Sequence, residues 1–435
     1  MLKAGFDRVS ITPSAGAPLA GFAARQGVST GVHDDLFARA LVIDDGASPV
    51  AMTSVDVLAL PSAFVDRVRE AIGRRVPLEP ASVMIASTHT HAAPVTITTF
   101  FNPDESVDRP YMERLAKAIE DAVAGAWERR RESRIGVGSG RVAGLGVNRR
   151  SPTGQPVDEE IGIVKIAEPS GRARGVLVNY ACHPTVLGPD NLLASGDFPN
   201  MAIAHIEERL GPDSFAMYTN GAEGDISMGH SSELSAIGVI APGRTFERAT
   251  ELGCRLGDAV LAALDGIETR DSATLAAATL PITLPLNRYP DREETARRLV
   301  EAEDRMRSLD GEGDSPAHRQ ARSELLYRSI THYYARETAR FTDGLLPLDL
   351  QAIRIGDAIF VAVPGELFAE VALRAKQSAP RPLFVVGLAN GYCGYLPSRA
   401  AYAEGGYEVV SSMCQADSAD RLLEAMMQLE RRLMA

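Results

Sequence analysis

The sequence predicts an α/β fold in which mixed β-sheets are flanked by helices. Three observations carry that prediction. Apolar, β-rich runs alternate with stretches of helical spacing along all 435 residues. Tight turn signals join some neighbouring strands, which excludes a purely parallel sheet. Polar, glycine-rich segments follow several strands, the position at which open α/β sheets hold ligands.

The elements follow in order. Residues 38–43 and 50–55 are β-rich runs, and 63–76 has helical spacing of Phe64, Val68 and Ile72. Residues 83–86 form a short apolar run that ends at a histidine pair. Residues 111–131 read as a helix whose basic end, Arg129, Arg130 and Arg131, suits the C-terminal dipole. Gly138-Ser139-Gly140, near Gly144 and Gly146, lacks a following helix and reads as a turn. Residues 162–166 and 175–180 flank Pro169-Ser170-Gly171 as a hairpin, and its second strand runs into His183. Residues 198–210 are helical, 215–218 are a strand ending at Asn220-Gly221-Ala222-Glu223-Gly224-Asp225, and 244–264 are a helix.

Residues 291–340 shift to Glu, Arg, Asp and Ala. They read as a charged helical hairpin inserted in the domain and interrupted near 310–314. A solvated insertion is the plain expectation, with a lid or a dimer contact as the functional one. Residues 352–355 and 358–363 are strands joined by Gly356-Asp357, a two-residue hairpin signal, and the second ends at Pro364-Gly365-Glu366. Residues 382–386 are a strand and 418–434 a closing amphipathic helix. Neither repeat nor linker is visible. The polar strand ends at 87–94, 182–188, 220–227 and 364–366 are expected to converge on one site.

Composition narrows the function. Hydrophobic residues are 45% and charged residues 23%, as in a globular protein with a sizeable core. The net charge of −12 argues against nucleic acid or an anionic membrane, since both need a positive face. The N-terminus lacks a signal-peptide pattern, and no window approaches the roughly 18 apolar residues of a spanning helix. Cys182, Cys254, Cys393 and Cys414 form no CxxC pair, so a reduced, cytoplasmic protein is expected. A homo-oligomer is compatible with all of this.

Of the eight histidines, His89, His91 and His183 stand just after apolar runs. On a strand, His89 and His91 would share a face, and a third imidazole from another strand would make a set that binds zinc with room for water. Any one of them alone is more often a hydrogen-bonded histidine in a packed turn. Asp56, Asp197, Asp225 and Glu366 are the acidic candidates, as ligand, base or orienting partner. For Asp225 a self-capping turn stands level with function, and Glu366 would also suit a helix N-terminus. Ser227, in Gly224-Asp225-Ile226-Ser227, lacks the GxSxG elbow, so a serine triad is the weaker mechanism. There is no P-loop and no HExxH.

Taken in order, these segments resemble the catalytic domain of the neutral, non-lysosomal ceramidases. Val9-Ser10-Ile11-Thr12-Pro13 is similar to the family's DITP start, and 31–40 to its TGIHxxLxARA segment. Residues 87–94 resemble xTHTHSGP, Asn148-Arg149-Arg150-Ser151-Pro152 resembles NRSP, and Cys182-His183-Pro184-Thr185 resembles xHPT. Ser195-Gly196-Asp197, Gly224-Asp225-Ile226-Ser227, Pro364-Gly365-Glu366, the run 387–395 and Gly406-Tyr407-Glu408 resemble SGD, GDVSP, PGE, GLxNxYxxY and xYE.

The resemblance implies a single ceramidase-like catalytic domain over 1–435 and one catalytic Zn2+ held by His89, His183, Glu366 and Tyr395. The implied catalytic set is His91, Tyr407, Arg149, Ser227 and Asp225. In it, His91 would protonate the leaving amine, and Tyr407 and Arg149 would face the substrate amide. Ser227 would stand near the metal, and Asp225, like Asp197, would act as support. The implied reaction is attack of zinc-bound water on the amide bond of ceramide or another N-acyl amide, a small molecule that includes lipid-like ones. A related zinc hydrolase of an ester, lactone or cyclic amide is the alternative, and a non-catalytic zinc protein is the third. The family's C-terminal β-sandwich is expected to be missing, and Met228 replaces the proline of GDVSP. A cytoplasmic enzyme without that domain is expected to cleave a smaller or more polar amide.

Overall fold

The computed structural model describes residues 2–102, 104–150, 156–309 and 315–434. Three mixed sheets make up its centre. The first runs Val83–Ser87, Val50–Val55, Phe37–Asp44, Lys3–Ser10, Arg131–Glu132 across its width. The second runs Phe215–Asn220, Ala173–Tyr180, Glu160–Ala167, Arg134–Arg141. The third runs Leu275–Pro285, Leu345–Ile355, Ala358–Ala362, Leu383–Val386.

Each sheet contains one parallel pair at an edge, and the other ladders are antiparallel. A parallel pair needs a crossover, and in each sheet that crossover contains a helix: Ser62–Arg75, Asp197–Leu210 and Ala369–Ser378. The same β-α-β unit therefore occurs three times, although no repeat is visible in the sequence.

Alternation along the strands explains the layering. In the first sheet Met52 and Met84 enter a central core shared with Leu177 and Met217 of the second and Ile353 and Phe360 of the third. Their neighbours Ala51, Val55, Val83 and Ile85 face the other way, against Val65, Leu115 and Ile119 of the helices Ser62–Arg75 and Arg109–Glu128. Helices Asp197–Leu210 and Phe246–Leu264 cover the second sheet, and Ala369–Ser378 and Ser418–Met434 the third. Among the described residues no helix is long and apolar enough to cross a membrane.

Three expectations are corrected. The glycines at 138–140 are not a turn but lie inside strand Arg134–Arg141. Glycine is needed there because a Cβ on Gly138 would meet Ile267 at 2.6 Å, and one on Gly136 the Glu268 carbonyl at 2.1 Å. The helix expected over 111–131 spans Arg109–Glu128, because Asp108 caps it by accepting from the Tyr111 amide at 2.9 Å. Arg131 instead begins a short strand paired with Lys3–Ala4. Finally, the charged segment does form two helices, Arg292–Ser308 and Pro316–Thr338, but the second is not simply solvated. It buries Leu326, Ile330 and Tyr334 in the core of the third sheet. The interruption expected at 310–314 lies outside the described residues, as do Ser151 and Pro152 of the NRSP-like run.

Candidate metal centre and its two cavities

The carboxyl ends of the three parallel pairs meet. Val83–Ser87 leads to His89 and His91, Ala173–Tyr180 to His183, Phe215–Asn220 to Glu223 and Asp225, Ala358–Ala362 to Glu366, and Leu383–Val386 to Tyr392 and Tyr395. The ring centroids of His89 lie 4.8 Å from those of His91 and 4.9 Å from those of His183. Glu366 and Tyr395 are direct register partners in a two-residue parallel bridge.

Main-chain carbonyls orient two of the histidines. His89 donates Nδ1–H to the Leu58 carbonyl at 2.8 Å, and His183 donates Nδ1–H to the carbonyls of Glu223 and Ile226 at 2.8 and 3.0 Å. A carbonyl only accepts, so Nδ1 carries the hydrogen in both rings, and in the neutral form Nε2 is the nitrogen with the lone pair. His89 holds this pose with φ at 70°, a left-handed backbone that costs a non-glycine residue energy and occurs at functional sites.

Both Nε2 atoms face Glu366. His183 Nε2 is 3.0 Å from Glu366 Oε2, and His89 Nε2 is 3.6 Å from the same oxygen. Burial, and then the Arg149 cation, push the His183 imidazole down to about 4, so it is neutral at physiological pH. Burial works against the Glu366 carboxylate, but the adjoining imidazoles of His89 and His183 hold it well below the usual range. His183 Nε2 and His89 Nε2 thus converge on one carboxylate oxygen, an arrangement that a cation between them stabilises. His89 Nε2 is buried without a hydrogen-bond partner, as a ligand atom would be. Two imidazoles, a carboxylate and a phenol oxygen fit the borderline N/O chemistry of Zn2+.

The remaining donors are held by side chains. The Tyr392 hydroxyl donates to Glu366 Oε1 at 2.7 Å. Arg149 Nη2 donates to the Tyr395 hydroxyl at 2.9 Å and to the Gly224 carbonyl at 2.8 Å, while its Nε pairs with Glu408 at 2.9 Å. Arg149 therefore braces Tyr395 as well as facing the site, more than its expected contact with substrate.

His91 makes no hydrogen bond from either ring nitrogen. Burial and the neighbouring imidazoles of His89 and His183 hold it well below its ordinary value, hence neutral. It fits against Gly21, where a Cβ would come within 2.4 Å of its ring. Its position leaves it a neighbour of the metal donors or a donor itself, since His89, His91 and His183 form one candidate group. Asp225 is tied to the Asn148 amide at 2.7 Å and the Ala369 N–H at 2.9 Å, which joins three segments behind the site. Asp197 accepts from the Leu187 and Phe198 amides, which ties the segment after His183 to the start of helix Asp197–Leu210. The Ser227 hydroxyl donates to the His230 carbonyl at 3.1 Å, and Ser227 lines neither cavity. Asp56 lies apart, paired with Arg39 at 3.0 Å.

Two residues were not singled out from sequence. Tyr392 sits inside the quoted run 387–395 without a role. Glu223 is fully buried, with neither carboxylate oxygen hydrogen-bonded, and it forms a second candidate metal group with His89 and Glu366. Burial, and then repulsion from Glu366, raise its carboxyl well above the usual range. An acid one residue before Gly224-Asp225 was the available signal, but a turn acid looks the same in sequence.

Two cavities flank His91. The larger, about 480 Å3, has His89, His91, Glu366 and Tyr395 at its base. Its walls are apolar, with Ile97, Phe100, Phe101, Phe341, Leu346 and Met413 among them, and Tyr333 and Tyr334 come from helix Pro316–Thr338. The smaller, about 40 Å3, has Arg149, His230 and Arg244 in its lining together with Phe22 and Ala236, and shares Gly21, His91, Tyr395 and Tyr407 with the first.

Both the sequence and the fold have known relatives. The family described as neutral/alkaline non-lysosomal ceramidase, N-terminal, matches residues 3–229. The neutral ceramidase of Mycobacterium tuberculosis is 25% identical over 480 aligned positions, covering 95% of this chain and 74% of that protein. That of Pseudomonas aeruginosa is 24% identical over 222 positions, covering 47% of this chain and 33% of that protein. The crystal structure of the Pseudomonas aeruginosa neutral ceramidase superposes with a TM-score of 0.76 at 19% identity, over 99% of this chain and 74% of that chain. A ceramidase complexed with C2 superposes at 0.74, with 17% identity, over 100% and 75%. The shared fold and the match across more than half of the sequence lead to one conclusion: the chain belongs to the neutral/alkaline non-lysosomal ceramidase family.

Proposed function

We propose that the protein is a zinc-dependent amidohydrolase that cleaves a linear N-acyl amide to a carboxylic acid and an amine. The observation that carries this reading is the convergence of His89 Nε2, His183 Nε2 and the Glu366 carboxylate beneath an apolar cavity. His89, His183, Glu366 and Tyr395 would hold the metal. When bound, zinc would supply a water that ionises near neutral pH and a Lewis acid for the amide carbonyl.

The chain's own residues do the rest. The apolar walls take the acyl chain and exclude bulk water from the scissile bond. Tyr407 lines both cavities, which supports its hydroxyl as the donor to the oxygen of a tetrahedral intermediate. A neutral His91 fits a base that takes a proton from the attacking water and then passes it to the leaving nitrogen. This modifies the sequence expectation of a histidine already protonated. Arg149 and Tyr392 hold Tyr395 and Glu366 in position. The names of the relatives make ceramide a first amide to try.

The test is turnover of short-chain ceramide and N-octanoyl amides before and after chelation, with zinc restored afterwards, in the wild type and in Glu366→Gln. Activity should vanish on chelation, return with zinc, and stay absent in Glu366→Gln, which should also bind less metal. Activity that persists without metal, or cleavage of esters but no amide, overturns the reading.

A further inference from the structure

The smaller cavity opens beside the same centre, across His91, Tyr395 and Tyr407 from the larger one. Its lining, beyond the residues it shares with the apolar cavity, includes Arg149, Thr185, His230, Ser232, Ser235 and Arg244. These are cationic, titratable or hydroxyl-bearing, with Phe22, Ala23 and Ala236 beside them, whereas most of the larger cavity's lining is aliphatic or aromatic. An amide seated over His91, Tyr395 and Tyr407 would therefore have an apolar arm on one side and a short polar arm on the other.

Arg244 gives the polar arm its sign. It is only 9% exposed, and its Nη2 donates to the Ser235 hydroxyl at 2.7 Å. Its Nε and Nη1 are buried without a hydrogen-bond partner. Among the described residues Arg244 forms no ion pair, and the carboxylates acting on it, Asp190 and Asp197, do so only at longer range. Both Asp197 oxygens already accept main-chain amides. Nearby, Arg25 is satisfied by the carbonyls of Ala20, His91 and Asn191, again with no carboxylate among its partners. Arg25 and Arg244 each stand over the Phe22 ring, at 5.1 and 5.5 Å. Glu408, bonded to the lining residues Arg149 and Ser232, is taken by them and by Arg150. A buried guanidinium with two free donors is costly unless something fills them. The cavity of about 40 Å3 has room for roughly three water-sized groups, which matches a carboxylate.

We propose that this cavity is a carboxylate subsite centred on Arg244, and that the amide cleaved is an N-acyl amino acid with a small side chain. The inference rests on the amidohydrolase reading above and names its substrate class. In the reaction, the oxygen of water bonds to the acyl carbon and the C–N bond breaks. One proton of water ends on the leaving nitrogen, so the products are a fatty acid and a free amino acid. Ceramide, with a neutral diol in that place, leaves the Arg244 donors without an anion.

The experiment compares N-octanoylglycine with N-octanoylethanolamine, which match in length and differ in the carboxylate. Binding to the metal-free protein is measured by calorimetry, so hydrolysis does not intervene. The glycine compound should bind at least about tenfold more tightly, the scale of a charge-assisted hydrogen bond. That ratio should collapse in Arg244→Gln and be partly kept in Arg244→Lys, which retains the charge but not the fork. If Arg244→Gln does not fold, as judged by its thermal melt, Arg244→Lys decides alone. Equal or weaker binding of the glycine compound, or a ratio untouched in folded Arg244 variants, overturns the subsite. Turnover of the two amides by the zinc-loaded protein is read separately. Cleavage of neither would sink the amidohydrolase reading, while the binding ratio would still decide the subsite.

Discussion

The histidine half of the centre and the Glu366–Tyr395 half are held by different means. His89 and His183 lean on the main-chain carbonyls of Leu58, Glu223 and Ile226. Glu366 and Tyr395 lean on the side chains of Tyr392 and Arg149, and Arg149 in turn on Glu408. A carbonyl survives replacement of its side chain, whereas a hydroxyl or guanidinium does not. The histidine half should therefore tolerate changes around it, and the other half should not.

The largest effect tests the second half. Arg149→Gln removes the brace on Tyr395 and should weaken zinc binding about 10- to 100-fold, as loss of an orienting partner does. Competition with a metal-binding dye measures it, and unchanged affinity would break the comparison. A smaller effect tests the first half. Ile226→Val keeps the carbonyl that holds His183 and trims a fully buried side chain. It should cost about 1 kcal/mol in a denaturant melt and leave zinc affinity the same. A fall in affinity comparable to that of Arg149→Gln would show that packing, not the carbonyl, sets the imidazole.

The smallest effect is in pH. In the fold the His183 imidazole is depressed from 6.5 to about 4. Between those values the unfolded chain binds a proton there that the native state does not. Its contribution to stability is therefore full above pH 6.5 and is lost as the pH falls towards 4. The metal-free protein should melt lower as pH drops through this window, and His183→Asn should make the fall shallower. An equal slope in the variant would mean that other groups carry the acid sensitivity.

Much of this site could be read before any fold was known, because its residues stand at strand ends. His89, His91, His183 and Glu366 each stand in a short polar segment just after an apolar run. Arg149, Tyr395 and Tyr407 became visible only through the ordered motifs of the family, since nothing in their neighbourhood distinguishes them from structural residues. Tyr392 and Glu223 were missed for a related reason: being buried without a partner, or beside Glu366, is a property of packing. Strand Lys3–Ser10 was missed because its second half is half-exposed and carries Asp7 and Arg8. Arg134–Arg141 was missed because its glycines make room for Ile267 and Glu268, more than 100 residues away.

By itself, then, the sequence determined the alternation of strands and helices, the polar strand ends and most of the candidate metal donors. Those follow from local periodicity and from side-chain chemistry, which neighbouring residues already express. Only the tertiary structure decided that three β-α-β units point their carboxyl ends at one centre, that Glu366 pairs with Tyr395, and that Arg149 reaches a hydroxyl 246 residues further on. It alone separated an apolar cavity from a small cationic one. The physical reason is that these features arise where three sheets pack against each other, and the contacts that set such packing join residues that are distant in the chain.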